Sequence, residues 1–536
     1  MKSIKLIIKG LAIGAFSLFF TACDLDEVPL DFYGSESYWK TEAHFDNYMI
    51  GLRSDLRKRS WLHIFELGEA RGGSIKTGSS IGGESLNYGV LANQSLHSGQ
   101  TGITGWGDIY GRITNINLFI QRTEESTILP EDKKKKLLAQ AYGMRAFWYF
   151  DLYRMYGSCP LQLVAKVVNG VVTPEELYEG RANASVVMKQ IKEDLQKSLD
   201  NFGDDHSFDR QKSTWSKAAT EALTADVYLW TAKVTTLDDT ANPADIDVAK
   251  KHLLSLTTNY GLSLLPEFGD VYNADPTKLG HEEVIMAIRY PEGEKYGNNN
   301  SSHGNNAGLF VYNWTTSRFN NAWVYENGRV TDNDTLNVMS SGQLRVEYKK
   351  QMFLNYDKED ARRDATFLSV YNKDTKELAG LILRKNLGIY NKDKNERVYA
   401  GDEIWYRLAW VYLALAEVEN FQGGDPAKYI NIVRQRAYGD NWDESKYGYR
   451  NSDFTTNELA ILKEKDKEFV CEGQRWWDVR RMTLTKGGKP LVFVPEGNVE
   501  SNEPILNEAT EAHKILFPIE TAMINKDPDL TQTPGY

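Results

Sequence analysis

Two stretches carry side chains whose types and spacing suit contact with a small hydroxylated ring. In one, Trp314, Trp323 and Tyr325 are interleaved with Asn313, Arg318, Asn320 and Asn321, and Tyr296 precedes Asn298, Asn299 and Asn300. In the other, Arg71, Asn87, Tyr88 and Asn93 lie between Trp61 and Trp106. A flat indole or phenol packs against apolar C–H faces, while amide and guanidinium groups meet a rim of hydroxyls. That pairing is the chemistry of sugar recognition. Each ring also has a plainer alternative as core packing, and Trp106, ahead of Ile109, Tyr110 and Ile113 at helical spacing, reads as core.

Catalytic chemistry leaves no comparable signature. The histidines His44, His63, His97, His206, His252, His281, His303 and His513 are scattered singly, without the His-Glu-x-x-His spacing of a zinc protease helix. His281-Glu282-Glu283 reads as a solvated turn. The glycine-rich run from Gly68 to Gly83 lacks the Gly-Lys-Ser ending that cradles phosphate. Among 74 acidic residues some pair must lie at a glycosidase-like separation, and nothing in the sequence singles one out. No cofactor is expected. Asp238 with Asp239, or Asp332 with Asp334, would supply oxygen ligands if a structural Ca²⁺ were bound.

Composition narrows the setting. The 536 residues, 41% hydrophobic, give ample chain for a large core. Aromatics reach 12%, with 29 tyrosines and 13 tryptophans, which suits a protein that offers rings to a ligand as well as to its own helices. The net charge of −11 argues against nucleic acid as a partner. Beyond Cys23 only Cys159 and Cys471 remain, so there is no disulfide framework; buried free thiols are expected, with a pairing between the two left open.

The N-terminus reads as an address. Lys2, Lys5 and Lys9 precede an uncharged run from Gly10 to Phe20, too short for a bilayer span of roughly 20 residues and suited to a signal peptide. Phe20-Thr21-Ala22-Cys23 resembles a bacterial lipobox, which predicts cleavage before Cys23, lipidation of its sulfur and a lasting membrane anchor. Asp24, Asp26 and Glu27 resemble the surface-export signal of lipoproteins in Bacteroidota. Residues 1–22 are thus assigned to a signal peptide and 23–45 to a lipidated acidic tether and N-terminal segment. A single body fills 46–536, with loop insertions at about 60–107 and 260–400.

Positioning the ring-bearing stretches falls to helices. Helical periodicity covers 134–156, 184–199, 213–233, 245–258, 402–421, 426–436 and 456–480. Ala146 with Tyr149, Ala225 with Tyr228 and Ala409 with Tyr412 repeat a small residue three before a tyrosine, which resembles the interlocking of stacked tetratricopeptide helix pairs. The fold class is therefore mainly α, with helical repeats supporting an irregular, loop-rich half with short strands.

Four stretches together resemble the SusD-like (RagB/SusD) family. They are the lipobox followed by residues 30–39; 141–157, containing Arg145-Ala146 and ending in Tyr156-Gly157; 461–481, containing Glu472-Gly473-Gln474-Arg475-Trp476; and Leu516-Phe-Pro-Ile-Glu520 with the C-terminal Gln532-Thr533-Pro534-Gly535-Tyr536, where Thr533 replaces the family's usual asparagine. The resemblance implies four tetratricopeptide-like units, an outer-membrane location facing the cell exterior and a SusC-like TonB-dependent transporter as partner. It also implies a non-catalytic role in capturing oligosaccharide. A peptide-binding subunit of the same kind of transporter and a surface glycoside hydrolase are the alternatives. The motif residues themselves read as scaffold, with Glu472 spaced to pair with Arg475 and a guanidinium stacked on indole.

Overall fold

Capping explains several helix starts. Ser216 accepts a hydrogen bond from the Ala219 amide at 3.2 Å ahead of the helix Lys217–Lys233, and Asp453 accepts one from the Thr456 amide at 3.0 Å ahead of Phe454–Glu468. The computed structural model of the chain describes residues 38–77, 87–103, 105–166, 173–209, 211–291, 322–326, 329–331, 346–372, 374–393 and 395–536.

The principal helices are α1 (Glu42–Trp61), α2 (Gly107–Glu125), α3 (Glu131–Tyr156), α4 (Ala184–Phe202), α5 (Lys217–Lys233), α6 (Asp245–Thr258), α7 (Leu408–Gln422), α8 (Ala427–Tyr438), α9 (Phe454–Glu468) and α10 (Arg475–Arg481). The first eight pack as four pairs, α1 with α2, α3 with α4, α5 with α6 and α7 with α8. Contacts of α2 with α3, α4 with α5 and α6 with α7 join the pairs into one stack, as expected of helical repeats. No described helix is long and apolar enough to cross a membrane.

Helix α3 lies at the centre, with every residue from Leu137 to Tyr156 buried. Its Gly143 lets Trp215 approach so closely that a Cβ there would fall 2.1 Å from the indole nitrogen. Buried Arg145 binds Asp194 of α4 through two bonds of 2.7 Å, a bidentate pair that fixes one helix against the next. Trp106 is core, as its spacing predicts.

Strands come from the insertions: β1 (Ile75–Thr77), β2 (Val284–Tyr290), β3 (Ala322–Glu326), β4 (Arg329–Thr331), β5 (Val346–Tyr348), β6 (Phe367–Asn372), β7 (Leu378–Leu383), β8 (Ile389–Asn391), β9 (Glu396–Val398) and β10 (Gly401–Arg407). All pairings are antiparallel. Strands β4, β3, β6 and β7 form one sheet in that order, and β10 with β2, β1 with β5 and β8 with β9 form two-stranded ribbons.

Two helix predictions need correction. Residues 402–407 form β10: this fully buried stretch pairs with β2, and its charged ends are neutralised by partners far along the chain, Asp402 by Arg289 and Arg407 by Glu283. The span 456–480 is two helices: Cys471 and Gly473 adopt φ of 60° and 75°, which interrupts the helix between Glu468 and Arg475. There the chain crosses the first insertion. A Cβ on Gly68 would lie 2.1 Å from the Gly473 carbonyl oxygen, and the Trp476 amide donates to the Gly68 carbonyl at 2.8 Å.

Candidate ligand-binding site

The two insertions meet. Strand β1 of the first pairs with β5 of the second, with Ile75 opposite Tyr348 and Thr77 opposite Val346, and the Lys349 amide donates to the Ser74 carbonyl at 2.8 Å. In the second insertion, Trp323 lies opposite Tyr371 and Tyr325 opposite Val330 in the register of the four-stranded sheet. Tyr296, Asn313, Trp314, Arg318 and Asn320 lie outside the described residues, as do Cys23, Asp332 and Asp334.

Arg71 is not on an open surface. Its side chain is buried, sandwiched 4.2 Å from the Trp476 ring and 4.8 Å from Phe517, and donates to Gln94 Oε1 at 2.9 Å and to the Lys514 carbonyl. It docks the first insertion onto the C-terminal segment instead of meeting a ligand in this conformation. Tyr88 is half-buried, its ring 5.7 Å from Phe65 and 6.5 Å from Trp61. Asp238 accepts from the Ala184 amide at 2.9 Å and from the Ser185 hydroxyl, and Asp239 accepts from the Tyr153 hydroxyl at 2.7 Å. These oxygens hold the start of α4 and the end of α3.

The predicted Glu472–Arg475 pair does not form, because the break at Gly473 turns the two side chains apart. Glu472 accepts from Arg407 at 2.7 and 3.0 Å, from Lys385 at 2.6 Å and from the Tyr272 hydroxyl at 2.5 Å. Arg475 binds Asp466 and the carbonyls of Gly72 and Gly497, both at 2.7 Å. Guanidinium–indole stacking does occur, with Arg71 on Trp476 and Arg154 4.3 Å from Trp477.

Glu283 belongs to no solvated turn. It is fully buried and accepts from Arg407 at 2.7 Å, Arg436 at 3.0 Å and the Leu265 amide at 3.0 Å. Glu468 accepts from Arg407 at 2.6 Å, Arg362 at 3.0 Å and Arg436. Burial alone would raise its pKa, but Arg436, Arg407 and Arg362 hold it well below the usual carboxylate range. A second buried cluster joins Lys233 and Lys465 to Glu417, with Arg481 and Asp478 alongside. His63 approaches Asp151 at 3.0 Å, a pairing that sequence spacing could not reveal, and it is walled in by Phe147 and Trp405. The carboxylates of these clusters are buried and matched by cations, as scaffold charges are. Among the described residues no group of three or more metal-binding side chains converges.

Two open concavities carry polar side chains. One of about 570 Å³ between α4, α5 and α6 is lined by Gln196, Asp200, His206, Glu221, His252 and Asn259, among others. Burial pushes the His252 imidazole down to about 4, so it is neutral at pH 7 and able to accept as well as donate. A smaller one, about 180 Å³, lies where β2 leads into the second insertion and is lined by Arg53, Arg57, Arg289, Ser54, Ser213 and Thr214, with Ile50 and Ile288.

Residues 369–536 match the model of the SusD family, and residues 36–229 match a model described as starch-binding and associating with the outer membrane. A SusD-like protein of Formosa agariphila, P38, is 24% identical over 491 residues, covering 85% of this chain and 87% of that protein. The solved structure of Bacteroides fragilis NanU superposes with a TM-score of 0.76 at 30% identity, covering 95% of this chain and 99% of that one. A SusD superfamily protein from Bacteroides fragilis gives a TM-score of 0.84 at 49% identity, covering 93% of this chain and 100% of that one. Full-length likeness at this identity, with the helix stack and the joined insertions, makes the chain a member of the SusD superfamily.

Proposed function

We propose that this protein is a non-catalytic binding subunit that captures an oligosaccharide at the cell surface and passes it to a SusC-like TonB-dependent transporter in the outer membrane. The observation that carries the reading is the β1–β5 ribbon, which ties together the two aromatic and amide-rich insertions. Rings on loops held by such a scaffold suit stacking on sugar faces, with amides and guanidinium groups on the hydroxyl rim. The match of residues 36–229 to a starch-binding, outer-membrane-associating family supports both the ligand class and the location. Lipid on Cys23 would supply the anchor, and closure of the body over the transporter mouth would enclose the ligand before import.

Calorimetry or affinity electrophoresis against a panel of glycans and peptides tests the reading, followed by Trp314→Ala and Trp323→Ala. A glycan should bind, and each substitution should weaken it. Binding of peptides alone would sink the sugar assignment, and sustained release of reducing ends from a polysaccharide would sink the non-catalytic one. If neither tryptophan mattered, the site would lie elsewhere.

A further inference from the structure

Two arginines lie in the core without a carboxylate. Arg71 and Arg480 flank the same indole, 4.2 and 5.6 Å from the Trp476 ring, and neither forms an ion pair among the described residues. Arg71 leaves its Nη1 buried with no hydrogen-bond partner. Arg480, 4% exposed, donates once, to the Arg154 carbonyl at 2.8 Å, and otherwise meets the rings of Trp230 at 5.0 Å and Trp477 at 5.4 Å. Elsewhere in this core, buried cations are matched by carboxylates, as Arg407, Arg362, Lys465 and Arg481 are. Burying a cation without a counter-charge is costly, and ring faces offset only part of that cost.

What Arg480 faces is a cavity of about 270 Å³ between the C-terminal ends of α5 and α10. Lys233 and Arg481 also line it, but their charges are committed to Glu417, Glu458 and Asp478. Thr235 and Thr483 bring hydroxyls to the wall, and Val234, Pro490, Val492, Phe493 and Ile515 bring apolar surface. We infer that this cavity is a second ligand site, independent of the insertions, that takes a small oxyanion or an oxyanion-bearing ring of monosaccharide size through Arg480. Desolvation and the neighbouring Arg71 and Arg154 already push the Arg480 guanidinium well below its ordinary basicity, the state that an anion would relieve. A site with one buried cation, a few hydroxyls and an apolar wall has the composition of a small-acid pocket.

The test is calorimetry of the purified protein with sodium sulfate, sodium glucuronate and glucose at constant ionic strength, with tryptophan emission followed in parallel. Sulfate or glucuronate should bind once per chain and shift the emission of the indoles around Arg480, and glucose should not. Stronger binding of glucuronate would identify an anion carried on a sugar ring, and equal binding a free-anion site. Arg480→Met should weaken anion binding at least about tenfold, the loss of one charge-assisted hydrogen-bonded pair. Thr483→Val, nearly isosteric, should weaken it several-fold with unchanged thermal stability and keeps the test valid if Arg480→Met does not fold. Trp323→Ala should leave it unchanged, which separates this site from the one proposed above. Failure of both anions to bind, glucose binding as well as glucuronate, or full anion affinity in folded Arg480→Met or in Thr483→Val would overturn the inference.

Discussion

Glu472 is bound by Arg407, 65 residues earlier in the chain, through two hydrogen bonds of 2.7 and 3.0 Å. Arg407 also reaches Glu283 and Glu468, so one guanidinium serves three buried carboxylates. Arg407→Met removes that cation and leaves the acids underpaired. The expected loss is about 3–5 kcal/mol of unfolding free energy, read from urea denaturation. A loss below about 1 kcal/mol would show that Arg436, Arg362 and Lys385 suffice.

Stability should fall on both sides of about pH 4.5, for different reasons. Burial raises the Glu69 carboxyl from 4.5 to about 8, although the Tyr348 hydroxyl donates to it at 3.1 Å, and burial raises Glu403 to about 7. From pH 4.5 up to about 8 for Glu69, and up to about 7 for Glu403, the folded state holds the proton and the unfolded state does not. Their contribution is complete below about 4.5 and is lost as pH rises through the folded values, at roughly 1.4 kcal/mol per unit per group. Glu464 behaves oppositely. Despite burial, Arg362 and Arg434 hold it near about 2, so its contribution is present above 4.5 and is lost on acidification. Urea midpoints measured from pH 3 to 9 should show both limbs, and Glu69→Gln should flatten the alkaline one. An unchanged alkaline slope in that variant would exclude Glu69 as its source.

Thr533, 1% exposed, keeps a buried hydroxyl oxygen with no hydrogen-bond partner among the described residues, while the neighbouring Gln532 clasps both the amide and the carbonyl of Ile519 at 2.7 and 2.8 Å. An unsatisfied buried hydroxyl costs about 1–3 kcal/mol. Thr533→Val should therefore be neutral or raise the melting temperature. A clear destabilisation would mean that an ordered water already satisfies the hydroxyl.

Cys159 and Cys471 are both buried and free. Burial pushes the Cys159 thiol up to about 12 and raises Cys471 further still, so neither provides thiolate at neutral pH. In a Cys23→Ser background, a thiol reagent at pH 8 should label neither in the folded protein and both in urea. Labelling of the folded protein would reveal local opening.

The proposed lipid anchor on Cys23 is tested apart from the proposed binding role of the body. Cys23→Ser should release the protein from the outer-membrane fraction while leaving its glycan affinity in solution unchanged. Retention in that fraction would point to an anchor other than the lipid.

Local patterns were legible in the sequence and remote pairings were not. The bounds of α6 at Asp245 and Thr258 agree with the periodicity, and α4 begins at Ala184 as its pattern predicts, because one amphipathic face repeats within a few turns. Glu283 misleads because its partners Arg407 and Arg436 lie 124 and 153 residues away, and no window of sequence contains both halves. Arg71 misleads similarly. A guanidinium among glycines and polar residues suggests a surface loop, and only the docking of Trp476 and Phe517 takes it inside. For the rings, the sequence marks Trp323 as a candidate, and strand register adds Tyr371 as its cross-strand neighbour.

The pairing of Arg407 with Glu283 closes the root of the second insertion: Glu283 immediately precedes β2, Arg407 ends β10, and these strands pair with each other. Everything between Tyr290 and Gly401 thus issues from a clamped stem whose geometry is set by the interior. Such a stem acts as a socket. Segments of different length or side-chain character could be exchanged between residues 291 and 346 while Arg362 and Lys385 keep their pairings with Glu468 and Glu472, so one architecture could be refitted for new ligands.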